Sequence, residues 1–136
     1  MVVRVVRLGT SRHPDEGPRV GTVRRPPRGV SKAQYSKENW YDVWFPNLAP
    51  SPETMKLGQN ADTEAQWASF KRRYRTEMAK PDAAHAIELL ARLSNSANFS
   101  VGCYCEHEER CHRSVLRELL TNAGANLGMG RSWPRD

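Results

Sequence analysis

The stretch that most constrains the fold is residues 99–120, FSVGCYCEHEERCHRSVLRELL, which contains all three cysteines and two of the four histidines. Its first residues alternate between apolar and small or polar types, which predicts a buried strand with Cys103 and Cys105 on one face. Apolar residues then recur every four positions from Cys111 and from His112, which predicts a helix with both residues on its sheet-facing side. A strand followed by a helix indicates an α/β sheet.

The junction of this strand and helix is the predicted functional corner. Because the strand ends close to where the helix begins, we expect Cys105, Cys111, His112 and Arg113 to meet there. Ligands of open α/β sheets bind at the carboxyl ends of the strands. A helix N-terminus at the same place adds free N–H groups and a positive dipole end. The sequence therefore predicts a site at this corner, but it does not name a reaction.

The first strand is predicted over residues 2–8, where valines occur on both faces. A strand that is apolar on both faces is typical of a parallel sheet covered on both sides. The turn that follows includes Thr10 and Ser11, and it can bring backbone N–H groups to an anion. An ordinary turn without a ligand is the alternative interpretation.

The remaining periodicity supports a sheet covered by helices. Thr63 and Gln66 form a capping box, which predicts a helix over residues 63–79. Asp82 is predicted to cap a second helix that ends near Ser94. We therefore predict an α/β fold with a small, mainly parallel sheet in a single layered domain over residues 1–128. A loosely held polar tail is predicted over residues 129–136.

The charge balance favours anionic partners. The 136 residues include 21 lysines and arginines against 15 acidic residues, a net charge of +6. This balance suits nucleic acid, nucleotides or other anions, and a solvated basic surface is the alternative. No apolar run approaches the length of a membrane span, so no membrane partner is predicted. An odd number of cysteines argues against a disulfide framework and indicates a reducing cytoplasm.

A stiff basic loop is the second candidate binding element. Arg25 and Arg28 flank Pro26 and Pro27, which preclude regular helix. Guanidinium groups on such a loop are suited to clamp phosphate or carboxylate groups. A solvated loop is the alternative. The aromatic residues that follow can stack nucleobases, but such a cluster is more often core, which is the interpretation we favour; they are Tyr35, Trp40, Tyr41, Trp44 and Phe45.

Read together, these pieces resemble the cysteine-containing branch of the bacterial domain-of-unknown-function family 488. The matching segments, in order, are residues 25–32 (RPPRGVSK), 44–52 (WFPNLAPSP), 67–70 (WASF), 73–74 (RY), 103–105 (CYC) and 111–114 (CHRS). The resemblance implies a small cytosolic α/β domain and points first to Arg25 and Arg28 as functional residues. It implies no particular activity.

Three interpretations compete for the cysteine corner. Cys103, Cys105, Cys111 and His112 supply enough ligands for tetrahedral zinc, or for iron. We do not favour a metal or any other cofactor, because one pair lies in a strand and the adjacent pair in a helix start, where neighbouring side chains are expected to diverge. Alternatively, Cys111, with Cys105 next, is a catalytic thiolate that His112 serves as base. In the third interpretation Cys103 is an inert core residue.

The function predicted from the sequence is a cytosolic domain that binds an anionic ligand at the carboxyl edge of its sheet. The ligand class is a phosphate-bearing small molecule, such as a nucleotide, or a nucleic-acid fragment, and the sequence leaves open whether the protein is an enzyme. The alternatives are a metal-binding module and a non-enzymatic nucleic-acid adaptor. The predicted anion-binding residues are Thr10, Ser11, Arg25, Arg28, Arg113 and Ser114.

Overall fold

A four-stranded, all-parallel sheet forms the centre of the computed structural model, which describes residues 1–128. The strand order is β1-β4-β2-β3, and the strands are β1 (Val3–Arg7), β2 (Arg19–Gly21), β3 (Val43–Trp44) and β4 (Phe99–Cys103). The helices are α1 (Pro52–Gln59), α2 (Glu64–Met78), α3 (Pro81–Leu93) and α4 (His112–Asn122). The predicted α/β class with a parallel sheet is confirmed. The tail predicted for residues 129–136 lies outside the described residues.

Strand β4 lies between β1 and β2, and all five of its residues are buried. Its register places Val101 beside Val5 of β1 and Val20 of β2. Gly102 permits this close packing, because a Cβ at that position would lie 2.7 Å from the carbonyl oxygen of Val6. The central strand therefore carries the cysteine stretch into the middle of the carboxyl edge.

Local capping signals set the helix boundaries. The hydroxyl of Thr63 accepts from the N–H of Gln66, and the predicted capping box is present. Helix α3 begins two residues earlier than predicted, with Lys80 as its N-cap and Pro81 as its first residue, so Asp82 lies in the first turn and does not cap the helix. Proline is favoured at this position because its missing N–H has no intrahelical partner there. Within residues 1–128, no helix has the length and apolar character needed to cross a membrane.

A buried ion pair joins the loop before β2 to the sheet. The side chains of Glu16 and Arg19 are both fully buried, with 2.7 Å between Glu16 Oε2 and Arg19 Nε. The hydroxyl of Ser100 in β4 also donates to Glu16 Oε2, at 2.6 Å. Arg19 donates further to the carbonyl oxygens of Thr10 and Asn39. Removal of one partner of such a pair leaves an uncompensated buried charge, which typically costs about 3–5 kcal/mol.

We expect Arg19→Met to lower the free energy of unfolding by about 3–5 kcal/mol, measured by urea denaturation.

Burial alone would raise the pKa of Glu16, but the hydrogen bonds from Arg19 and Ser100 outweigh this effect, and the pKa of Glu16 is lowered from 4.5. Stability from Glu16 is therefore present above pH 4.5 and is lost as the pH falls through the lower folded-state pKa. Glu16→Gln should remove this part of the acid dependence. An unchanged acid limb in Glu16→Gln would contradict the assignment.

Candidate functional site

A cleft of about 850 Å³ opens at the carboxyl edge of the sheet, and we call it the arginine cleft. Its walls come from the end of β1, from the loop after β2 and from the residue after β4. The lining residues are Arg7, Leu8, Gly9, Thr10, Arg25, Pro26, Pro27, Arg28, Trp40 and Tyr104. The position agrees with the expectation that ligands of parallel sheets bind at this edge.

Two aromatic rings form one wall of the arginine cleft. Trp40 and Tyr104 pack edge to face, with 5.9 Å between ring centroids. Gly9 has φ +84°, and a Cβ there would lie 2.8 Å from the Trp40 ring, so this turn requires glycine. The Tyr104 hydroxyl donates to the carbonyl oxygen of Arg25 at 2.8 Å, which ties the arginine loop to the end of β4.

The cleft is positively charged. Arg25 and Arg28 are exposed, and no described residue accepts a hydrogen bond from either guanidinium group. Among the described residues that line the cleft, none is acidic. No residue of the acidic loop over residues 106–109 lines the cleft, and Glu108 pairs with Arg117 at 2.6 Å. The carboxylate of Glu109 lies 3.8 Å from His107.

The structure brings together part of the predicted anion site. Thr10, Arg25 and Arg28 line the cleft, whereas Ser11, Arg113 and Ser114 do not. Ser11 is exposed, and its carbonyl oxygen faces Arg19 at 3.5 Å. The hydroxyl of Ser114 donates to the carbonyl oxygen of Cys111.

Arg113 is directed into the protein, away from the solvent. It is only 3% exposed, and its Nη2 donates to the carbonyl oxygen of Cys105 at 2.6 Å. The sequence analysis predicted that the positive charge of Arg113 binds an anion. In the structure this charge instead interacts with the buried thiols of Cys103 and Cys111. Conversely, Arg7 and Tyr104 line the cleft but are not among the predicted site residues, and Trp40, which was interpreted as core, lines it as well. The one available signal was the position of Arg7 and Tyr104 at the ends of predicted strands.

The second cluster, which we call the thiol cluster, consists of Cys103, Cys111 and His112. Cys103 ends β4, Cys111 precedes α4 as its N-cap, and His112 is the first residue of the helix. The two sulfur atoms lie 2.7 Å apart, and Cys111 Sγ lies 3.6 Å from His112 Nδ1. Both cysteines are 2% exposed, so the predicted burial of Cys103 is correct, but Cys111 is not reachable.

Hydrogen bonding fixes the orientation of the His112 ring. Its Nε2 lies 2.9 Å from the carbonyl oxygen of Thr22, an acceptor, so Nε2 carries the proton and donates. The lone pair on Nδ1 then faces Cys111. Burial lowers the pKa of His112 to about 4. The imidazole is therefore neutral at physiological pH, as a metal ligand or a base must be.

The three thiols differ in their acidity. Burial, with hydrogen bonds to Cys105 and Cys111, raises the pKa of Cys103. Burial also acts to raise the pKa of Cys111, but hydrogen bonds from Cys103 and Cys105 and the charge of Arg113 outweigh it and lower that pKa well below 9. A hydrogen bond with Cys103 acts to lower the pKa of Cys105, but Cys111 and burial outweigh this effect, so the pKa of Cys105 is raised. Cys111 is therefore the most acidic of the three thiols.

The thiol cluster could hold a metal ion, because its three ligand atoms lie within 4.8 Å of one another. The expectation that Cys111 and His112 diverge is wrong. Cys111 has φ −138° and ψ 155°, so it precedes the helix in an extended conformation. Its side chain therefore does not diverge from that of His112 as two adjacent helical residues would. The geometric argument against a metal is thereby removed.

We expect Cys105 to react first with a thiol reagent in the native protein, because it is exposed while Cys103 and Cys111 are buried. Mass spectrometry of partly labelled protein at neutral pH should find one rapid modification, and Cys105→Ser should abolish it. Rapid labelling of Cys111 in Cys105→Ser would show that the cluster opens to solvent.

Comparison with known proteins identifies a family over most of the chain. Residues 3–124 match DUF488-N3a, described as the active DUF488-N3 subclade. No curated protein and no solved structure matches the chain. The match spans all four strands and all four helices, and it includes both the arginine cleft and the thiol cluster. The chain therefore belongs to the DUF488 family, within its DUF488-N3a subclade.

Proposed function

We propose that the protein binds a phosphate-bearing anion, such as a nucleotide, in the arginine cleft. The observation that carries this proposal is the combination in one cleft of three arginines, two aromatic rings and no acidic side chain among the described residues. Guanidinium groups pair with phosphate oxygens through two parallel hydrogen bonds. The aromatic wall offers a surface on which a nucleobase can stack.

The stiffness of the cleft supports the proposal. Pro26 and Pro27 restrict the arginine loop, and the Tyr104 hydroxyl holds its backbone at Arg25. Less conformational entropy is lost on binding when the binding groups are already held in place. The volume, about 850 Å³, lies within the range of small-molecule sites.

The proposal assigns binding to the cleft and no thiol chemistry. Cys111 has a lowered pKa and a neutral histidine beside it, but neither residue lines the cleft and both are buried. The description of the matched subclade as active is compatible with an enzyme. A reaction at Cys111 would require that the thiol cluster open to admit the substrate.

We expect millimolar phosphate or mononucleotide to raise the melting temperature of the wild-type protein. At a ligand concentration of 100 Kd the stabilisation is about 2.7 kcal/mol. The double variant Arg25→Gln/Arg28→Gln should lose this rise, since both guanidinium groups face the cleft. Arg92→Gln, an exposed position in α3 outside the cleft, is the matched control and should keep it. An unchanged melting temperature of the wild-type protein in all these ligands would refute the proposal.

A second candidate function is a metal centre at the thiol cluster, with zinc or iron as the ion. The favouring observation is the ligand set of Cys103, Cys111 and His112 within 4.8 Å. The bond from His112 Nε2 to the Thr22 carbonyl is the outer contact that commonly orients a ligating imidazole. Cys105 is the further cysteine that would supply a fourth ligand, because both buried thiols affect its pKa, and its sulfur atom would have to join the three that lie within 4.8 Å of one another.

The charge of the cluster also suits a divalent ion. Three thiolates and one neutral imidazole around a divalent cation leave a net charge of −1. The buried guanidinium of Arg113 interacts with Cys103 and Cys111 and would offset that charge. A buried ion is tolerated when its surroundings neutralise it.

We expect protein purified without chelators to contain about one equivalent of zinc or iron, measured by elemental analysis, because zinc sites of this ligand type are four-coordinate. Cobalt substitution should produce the visible bands of tetrahedral thiolate coordination. His112→Ala should lose the metal, whereas His107→Ala, which removes an exposed histidine from the loop before α4, should retain it. A folded wild-type protein without metal that takes up no cobalt would rule out this function.

A further inference from the structure

We propose that the arginine cleft is one end of a track for single-stranded nucleic acid that continues past Trp44 to the basic face of α2. The proposal rests on the proposed function of the cleft and extends it from one phosphate group to a strand. We call the whole surface the basic track. It consists of the arginine cleft, a middle groove beside Arg24 and a hollow on α2 beside Arg72 and Arg73.

The middle groove and the hollow on α2 adjoin one another. The middle groove is about 670 Å³ and the hollow about 340 Å³, and they share Glu77 and Lys80. Arg24 of the middle groove directly precedes Arg25 of the arginine cleft in the chain. The proposed strand therefore crosses the backbone of residues 24–25 between the cleft and the middle groove, and then follows the groove to α2.

Exposed cations that form no salt bridge with a described residue lie along this path. Arg25, Arg28, Arg72, Arg73 and Lys80 are exposed, and none of the five forms a salt bridge with a described residue. Such cations remain available to phosphate oxygens, and contacts of this kind supply most of the affinity for a nucleic-acid backbone.

A cation outside the track behaves differently. Arg75 also lies on α2, but it does not line the track and it pairs with Glu118 at 2.6 Å. Arg72 and Arg73, which form no salt bridge with a described residue, therefore line the track, whereas Arg75 on another part of the helix is paired within the protein.

The acidic side chains beside the track reduce its positive electrostatic potential only in part. The carboxylate of Glu77 accepts hydrogen bonds from the backbone N–H and hydroxyl of Ser51 and from the hydroxyl of Thr54. It is therefore engaged by the protein and forms no salt bridge with a described residue, and the charge of Lys80 also acts on it. Asp82 is the other acidic residue of the middle groove.

Aromatic residues alternate with these cations. Trp40 and Tyr104 line the arginine cleft. Trp44 is 45% exposed, and its indole Nε1 donates to the carbonyl oxygen of Val23 at 2.8 Å, one residue before Arg24. The indole is thus held against the backbone that leads into Arg24 and Arg25. Alternating aromatic platforms and cations are typical of surfaces that bind single strands, because only unpaired bases can stack on them.

The test compares the binding of fluorescein-labelled oligothymidylates of about 4 and about 12 nucleotides, lengths within the usual range of single-strand site sizes. Fluorescence anisotropy should show tighter binding of the longer strand and a fall in affinity as salt rises. The variant Arg72→Gln/Arg73→Gln/Lys80→Gln should bind the longer strand at least about tenfold more weakly and reduce the salt slope by about 2, given about 0.7 per phosphate contact. The shift in melting temperature with phosphate should not change in this variant, because its substitutions lie outside the cleft.

The matched control is Lys37→Gln/Lys56→Gln/Arg92→Gln, which removes the same charge from exposed positions outside the track and should leave strand affinity unchanged. Trp44→Ala should weaken strand binding without changing the salt slope. Equal affinity for both lengths, or equal losses in the track and control variants, would overturn the track while the cleft proposal stands. A duplex that binds as tightly as the single strand would also overturn it. If neither oligonucleotides nor phosphate bind, both proposals fail.

Discussion

The buried guanidinium of Arg19 holds together the segments that build the carboxyl edge of the sheet. It pairs with Glu16 and donates to the carbonyl oxygens of Thr10 and Asn39, while its backbone N–H donates to Asp42. A buried cation is tolerated only when its donors are used, so these contacts depend on one another. The turn after β1 and the segment before Trp40 are consequently fixed relative to β2.

This arrangement determines the shape of the arginine cleft. The Gly9 N–H donates to the same Asn39 carbonyl oxygen that Arg19 contacts, and the Trp40 ring packs directly on Gly9. The rigid wall of the cleft therefore depends on charges and hydrogen bonds that are not part of the cleft. On the opposite wall, proline restricts the arginine loop, so the guanidinium groups of Arg25 and Arg28 extend from a stiff backbone and need no internal partner.

Sequence periodicity predicted the elements well, because burial on a strand or helix face repeats at fixed spacing. Periodicity could not predict the direction of a side chain where that direction depends on the exact residue at which a helix begins. Cys111 precedes α4 instead of beginning it, and this one-residue difference turns its thiol toward Cys103. Similarly, Arg113 is directed to the Cys105 carbonyl by the conformation of the loop over residues 104–110, which no periodic pattern encodes. Trp40 was assigned to the core, and it does pack on Gly9, but its exposed part lines the cleft.

Tyr104 links the two candidate sites. Its ring lines the arginine cleft and its hydroxyl donates to the Arg25 carbonyl, whereas its neighbours in the chain are two of the three thiols. Cys103 and Cys111 lie at the two ends of the loop between β4 and α4, and Tyr104 is the first residue of that loop. Any process that orders the two cysteines therefore also orders this loop. A metal ion at the thiol cluster would therefore hold the aromatic wall of the cleft in place. Tyr104 makes its hydrogen bond to Arg25 and its ring contact with Trp40 on the side of the cleft. A ligand bound in the cleft would therefore act on the same loop from the side opposite the thiol cluster. By linkage, occupancy of either site then favours occupancy of the other to the extent that each orders this loop.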